Sequence, residues 1–121
     1  MKGKNVNMED CVFCKIINRE IPSQIVYEDD KVIAFNDVNP AAPIHILVIP
    51  KKHLESLATM KEGDEKIISK IYQVINIIAE KQGFKEKGYR VIVNCGKDGG
   101  QEVPHLHFHL LAGTQFGDKI V

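Results

Sequence analysis

No stretch of this 121-residue chain approaches the ~20 consecutive apolar residues that a membrane-spanning helix requires. Charge of one sign is missing too: sixteen Lys and Arg side chains balance sixteen Asp and Glu. With no net field to draw the chain to a polyanion, neither nucleic acid nor a membrane surface is an expected partner. The opening Met1-Lys2-Gly3-Lys4-Asn5 has no apolar core behind it and does not read as a secretory signal, so a cytoplasmic protein is expected. Cysteine is scarce. Cys11, Cys14 and Cys95 make an odd count, which argues against a disulfide framework. There is no internal repeat and no linker-like shift in composition. The polar residues 1–10 read as a flexible tail and residues 11–121 as one domain, long enough to bury one core.

What is present is a mixture of helical and strand periodicities. A short helix is drawn through residues 12–18, stopped before Ile21-Pro22. Two strand-like runs, 24–28 and 31–36, are joined by Asp29-Asp30 as a tight turn. The run 45–50, His-Ile-Leu-Val-Ile-Pro, reads as a strand buried on both faces. Across 62–82, Ile67, Ile68, Ile71, Val74, Ile75 and Ile78 recur at three- and four-residue spacing and form one stripe of a long helix. Asp64 is its expected N-cap and Gly83 its expected stop. Ile77 lies off the stripe, on a face that a second subunit would suit. Strands are expected again over 89–94 and 105–112, on either side of a glycine-rich loop, 95–104. The fold class is α+β: an antiparallel sheet of about five strands, one long helix on one face and a short N-terminal helix.

Three of the five histidines alternate in His105-Leu106-His107-Phe108-His109-Leu110-Leu111. On a strand they point one way, ~6.6–7 Å apart, while Leu106, Phe108 and Leu110 point into a core. A helix would scatter the same rings around its axis. Neutral imidazole is a competent nucleophile near neutral pH and a competent leaving group once phosphorylated, and neighbouring imidazoles can orient it or bind phosphate oxygens. Imidazole is also a common zinc ligand. By itself the pattern therefore admits a reactive histidine, a metal site or an exposed cluster. The loop 94–101 carries three glycines and two side-chain amides that can bring N–H groups close to phosphate. Cys11-x-x-Cys14 has the spacing of half a zinc site or of a redox pair.

Histidines alternating with apolar residues in this way are the signature of the histidine triad family, and the likeness extends beyond them. Lys15-Ile16-Ile17-x-x-Glu20-Ile21-Pro22, Tyr27-Glu28-Asp29-Asp30, Ala34-Phe35-x-Asp37, Pro43-x-His45-x-Leu47-Val48-Ile49-Pro50-Lys51-Lys52-His53, Gly88-Tyr89-Arg90 and Gly99-Gly100-Gln101 resemble the Hint branch of that family, in order, over about residues 11–113. The resemblance implies a homodimer with its sheets joined into one, and cleavage of adenosine 5′-phosphoramidates to AMP and an amine through a nucleotidyl-histidine. Carried over by position, His107 is the nucleophile, His109 contacts the α-phosphate oxygens and His45 joins their hydrogen-bonded cluster. Asn94 and Gln101 fall at phosphate-contacting positions, Asp37 at the ribose, and Phe13, Phe35 and Val38 around the purine. Glu102 stands where many members place the serine that assists the leaving group, and the tail 113–121 lacks the aromatic and proline pattern of animal members.

The resemblance also gives the cysteine pair a role. Some bacterial members hold a structural zinc with an N-terminal Cys-x-x-Cys, a histidine after the Pro-Lys-Lys segment and the first triad histidine, positions filled here by Cys11, Cys14, His53 and His105. No catalytic cofactor is expected, and Cys95 reads as structural. Besides the phosphoramidase, the sequence leaves three alternatives: a nucleotide-binding scaffold with incidental chemistry, a dinucleoside polyphosphate hydrolase, and a metal-dependent hydrolase with the triad as ligands.

Overall fold

The computed structural model describes residues 10–118. Apart from Asp10, the expected tail lies outside the described residues, as do the last three positions of the domain. Helix α1, Val12–Ile17, is followed by strands β1, Ile25–Glu28, β2, Val32–Asn36, and β3, Ile44–Pro50. A 3-10 turn, Leu57–Thr59, leads to helix α2, Glu65–Lys81, and then to strands β4, Arg90–Val93, and β5, Phe108–Ala112. The sheet is antiparallel throughout, in the order β1-β2-β3-β5-β4. This is the expected α+β architecture. None of the described helices is long and apolar enough to cross a membrane.

Local chemistry explains the element boundaries. At the β1–β2 turn, Asp29 Oδ1 accepts from the N–H groups of Lys31 and Val32, closing the hairpin with a side chain. Strand β3 is central and nearly wholly buried, as its unbroken apolar run requires. Helix α2 ends in a Schellman motif. Gly83, at φ +82°, donates to Glu80 O, and Phe84 N–H reaches back to Ala79 O. Phe84 then packs into the core beside the helix.

Two apolar layers flank the sheet. On one face Ile71, Val74, Ile75 and Ile78 of α2 meet Ile46, Val48, Leu106, Phe108 and Leu110. On the other, Phe13, Cys14 and Ile16 of α1 close over Ile33, Phe35, Leu47 and Ile49. Tyr72 and Ile77 of α2 stay exposed, at 47% and 40%.

Two sequence expectations are corrected. Strand β5 begins at Phe108, not His105, because the backbone before it is already committed: Leu106 N–H goes to Leu54 O and His105 N–H turns back to Val103 O. Helix α2 starts at Glu65, not at residue 62, and Asp64 stands at the N-cap position without capping. Its carboxylate instead accepts from Lys61 N–H at 2.9 Å and Lys52 Nζ at 3.0 Å, which folds the preceding turn.

Candidate functional site

Alternation survives the late start of β5. Leu106, Phe108 and Leu110 are fully buried against α2, and the three imidazoles lie on the opposite face. The rings of His107 and His109 stand 5.1 Å apart in an edge-to-face arrangement. Leu47 of β3 pairs with His109, so His45, two residues earlier on the same face, is its diagonal neighbour, with rings 5.2 Å apart. From the α1 side, Phe13 meets His107, Phe35 and His105 edge-to-face at 5.1, 5.7 and 5.9 Å.

The hydrogen bonds fix which nitrogen of each ring carries a proton. Ala41 N–H donates to His45 Nδ1 at 2.9 Å, so the proton of neutral His45 sits on Nε2. His45 Nε2–H then donates to His109 Nδ1 at 2.9 Å, with the Asp37 carboxylate as a longer alternative at 3.4 Å. That leaves His109 with its proton on Nε2. His107 is fixed in the opposite sense. Its Nδ1–H donates to His105 O at 2.8 Å, so its free lone pair is on Nε2. Burial holds His109 down at about 4, with the His107 and His45 rings adding to it and Asp37 opposing. His45 is lowered by burial, again against Asp37. In their neutral forms the two rings therefore present one imidazole lone pair, on His107, beside one imidazole N–H donor, on His109.

These groups form one end of a cleft of about 480 Å³. His107, His109, Asn94, Gly100 and Glu102 line its polar part, and Phe13, Ile16, Phe35, Leu47 and Val38 line its apolar part, with Asp37 on the rim. Val38 is 89% exposed and borders the cleft from outside. The structure therefore brings nine of the family-implied residues together: eight in the cleft, with His45 directly behind His109. Gln101 is the exception. Its amide donates to Glu55 O and Val103 O while its carbonyl accepts from Gly96 N–H, and it borders a neighbouring groove instead. Asn94 Nδ2 likewise braces the loop through Gly99 O at 2.8 Å. The sequence reading missed Ile16, Leu47 and Ser23 as lining residues, although the alternation of β3 signalled that Leu47 shares a face with His45.

A second cluster lies behind the first. Cys11 Sγ, Cys14 Sγ, His53 and His105 each offer one ligand atom, all within 4.8 Å of one another, close enough to hold a metal ion. Cys11, Cys14 and His105 are buried. His105 Nε2–H donates to Pro50 O at 2.9 Å, which leaves Nδ1 unprotonated toward the two sulfurs at 3.4 and 3.6 Å. Burial holds His105 at about 4, and burial together with Cys11 pushes the Cys14 thiol up to about 12. Cys95 is free, on the glycine-rich loop.

Residues 18–116 match the family described as HIT domain. The chain is 47% identical over 112 residues to the purine nucleoside phosphoramidase of Escherichia coli strain K12, covering 93% of this chain and 94% of that one. Among solved structures, a histidine triad protein from Clostridium difficile aligns with a TM-score of 0.89 at 58% identity, covering 92% and 96% of the two chains. A HIT family hydrolase from Clostridium thermocellum aligns with a TM-score of 0.90 at 53% identity, covering 93% and 98%. The family match begins after the cysteine pair and takes in the other two members of the cluster, His53 and His105.

Proposed function

The chain belongs to the HIT domain family, and on that premise we propose that it hydrolyses the P–N bond of adenosine and other purine 5′-phosphoramidates to AMP and an amine. One observation carries the reading: the bond from His107 Nδ1–H to its neighbour's carbonyl leaves the Nε2 lone pair as the ring's free group in the cleft. That lone pair attacks the α-phosphorus, and the P–N bond breaks with its electron pair leaving on nitrogen, which takes up a proton. The positive charge left on the ring is eased by the Nδ1–H bond to His105 O. Water then attacks phosphorus and gives up a proton, which replaces the one carried off by the amine; the Nε2–P bond breaks, and AMP leaves with the lone pair restored to His107. His109 Nε2–H donates to an α-phosphate oxygen, where charge builds up in each step. Glu102, beside Gly100 in the cleft, is assigned to the departing amine, and Asn94 to the phosphate end. Asp37 takes the ribose hydroxyls, and Phe13, Phe35 and Val38 enclose the purine.

Zinc is the metal that suits the second cluster, as a structural ion. Two thiolates and two imidazoles are a tetrahedral donor set, and Zn–S near 2.3 Å with Zn–N near 2.05 Å gives an S···N edge of ~3.6 Å. The S···N separations of 3.2, 3.4 and 3.6 Å are close to that edge. Zinc well below one equivalent per subunit, in protein purified without added metal, would sink this assignment. The same reading carries a homodimer, favoured by the open side of β4 and by exposed Tyr72 and Ile77, and a cytoplasmic setting, where such thiols stay reduced.

The test compares wild type with His107→Ala on adenosine 5′-phosphoramidate, following AMP by chromatography. The expected result is rapid AMP release by wild type and a loss of about a thousandfold or more in the variant. An inactive wild type, or a variant that keeps its rate, removes His107 as nucleophile.

A further inference from the structure

Phe13 lies between the two cysteines in sequence, and in space it lies between their cluster and the nucleophile. Its ring meets His105, His107 and Phe35 edge-to-face, and it is 6% exposed while lining the cleft. We propose that Phe13, together with the backbone carbonyl of His105, couples the Cys11–Cys14–His53–His105 cluster to the nucleotide cleft, so that metal occupancy sets the cleft's affinity for nucleotide. This rests on the readings of the cleft as a nucleotide site and the cluster as a zinc site.

Helix α1 is six residues long, far below the length at which a helix holds itself together, so its position is set by what ties it down. One tie is the apolar contact of Phe13, Cys14 and Ile16 with the sheet. The other is the pair of sulfurs at its start: Cys11, the N-cap, whose Sγ accepts from Cys14 N–H, and Cys14 itself. With metal bound, four ligand bonds fix both sulfurs to His53 and His105. Without it, the same side chains are joined by weak S···N contacts alone. Two routes then lead from the cluster to the cleft. Phe13 carries the position of α1 to the purine wall and to the edge of His107. His105, which a metal on Nδ1 would clamp against the Nε2 bond to Pro50 O, presents the carbonyl that holds the His107 tautomer. Phe13 thus positions the His107 ring as well as walling the purine, and the cluster is more than a staple for the N-terminus.

Coupling of this kind is reciprocal. If zinc tightens AMP binding by some factor, AMP tightens zinc by the same factor. AMP affinity is measured by calorimetry on zinc-loaded and chelator-stripped protein, and zinc affinity by chelator competition with and without AMP. Wild type is expected to bind AMP about tenfold or more tightly when loaded, with a matching gain in zinc affinity in the presence of AMP. In Phe13→Ala, and in Phe13→Leu, which keeps the buried apolar bulk, the two ratios are expected to fall together to about threefold or less, the remainder being carried by the His105 carbonyl. A merely structural contact would lower thermal stability and leave those ratios unchanged.

Equal AMP affinity in loaded and stripped wild type overturns the proposal. So does coupling that survives undiminished in both variants, or a chain that takes up no zinc. Loaded wild type that binds no AMP overturns the nucleotide reading as well, which separates that failure from this one.

Discussion

Replacing His45 tests the hydrogen-bond relay more sharply than replacing a residue that touches phosphate. His45→Leu removes the Nε2–H that donates to His109 Nδ1 and leaves both that nitrogen and Ala41 N–H without their partner. Leaving a buried polar group unpaired costs ~1–3 kcal/mol. If that cost falls on the aligned His109 donor, at ~1.4 kcal/mol per decade, kcat drops by about 5- to 150-fold near neutral pH. The pH profile should move too. Burial, the largest cause, and the neighbouring His107 and His45 rings hold His109 at about 4; the Leu variant removes the His45 contribution and leaves the burial, so the His109 pKa should rise and shift the acid limb of activity upward. His45→Gln supplies the control. Its amide oxygen can accept Ala41 N–H and its NH₂ can donate to His109, so it should recover most of the lost rate although it is no base. AMP release from adenosine 5′-phosphoramidate between about pH 5 and 8 measures all three proteins. A Leu variant within twofold of wild type, or a Gln variant no better than Leu, would refute the relay.

Gly99→Ala places a Cβ 2.3 Å from Cys95 O, a backbone atom that cannot step aside, so the loop that Asn94 braces must move; a loss of activity of about tenfold or more is expected, with little change in the melting temperature. Unchanged kinetics in that variant would detach the loop from the site. His105 and His109, held at about 4 when folded, titrate near ~6.5 when unfolded, so the unfolded chain binds more protons in between. Stability should therefore be full above about pH 6.5, fall as pH drops toward 4 and level off below, and thermal melts of chelator-treated protein that rise on acidification would reverse this sign.

Much of this was legible because it rested on local periodicity. The stripe of α2 has a 3.6-residue repeat, and the triad a two-residue one that persists even where no strand ladder does. Gly83 marked a helix end because its left-handed conformation belongs to the residue type. What the sequence did not show depends on partners far along the chain. The start of β5 is set by Leu54, more than fifty residues earlier. Asp64 is a good N-cap by residue type, yet it is taken by Lys52 and Lys61. Gln101 carries the amide a phosphate site would want, and the fold turns it to Glu55 and Val103. Above all, the groups that set the imidazole tautomers are Ala41 N–H and the carbonyls of His105 and Pro50. Backbone groups are the same at every residue, and no motif announces them.

Those same backbone groups separate two clusters that composition alone would treat alike. Asp37, His45 and His109 also lie within 4.8 Å of one another through potential ligand atoms, and two imidazoles with a carboxylate are a familiar metal-binding set. The difference lies in which nitrogens are free. Ala41 N–H occupies His45 Nδ1, so the His45 Nε2 that faces Asp37 and His109 carries a proton; to bind a metal there the ring would have to become an imidazolate or give up the Ala41 bond. At His105 the order is reversed: Pro50 O takes the Nε2 proton and the bare Nδ1 faces two sulfurs. One set of histidines is thus prepared to pass hydrogen bonds and the other to accept a cation. Each carbonyl or amide that fixes this choice sits in the backbone of the central strand or of the segments beside it.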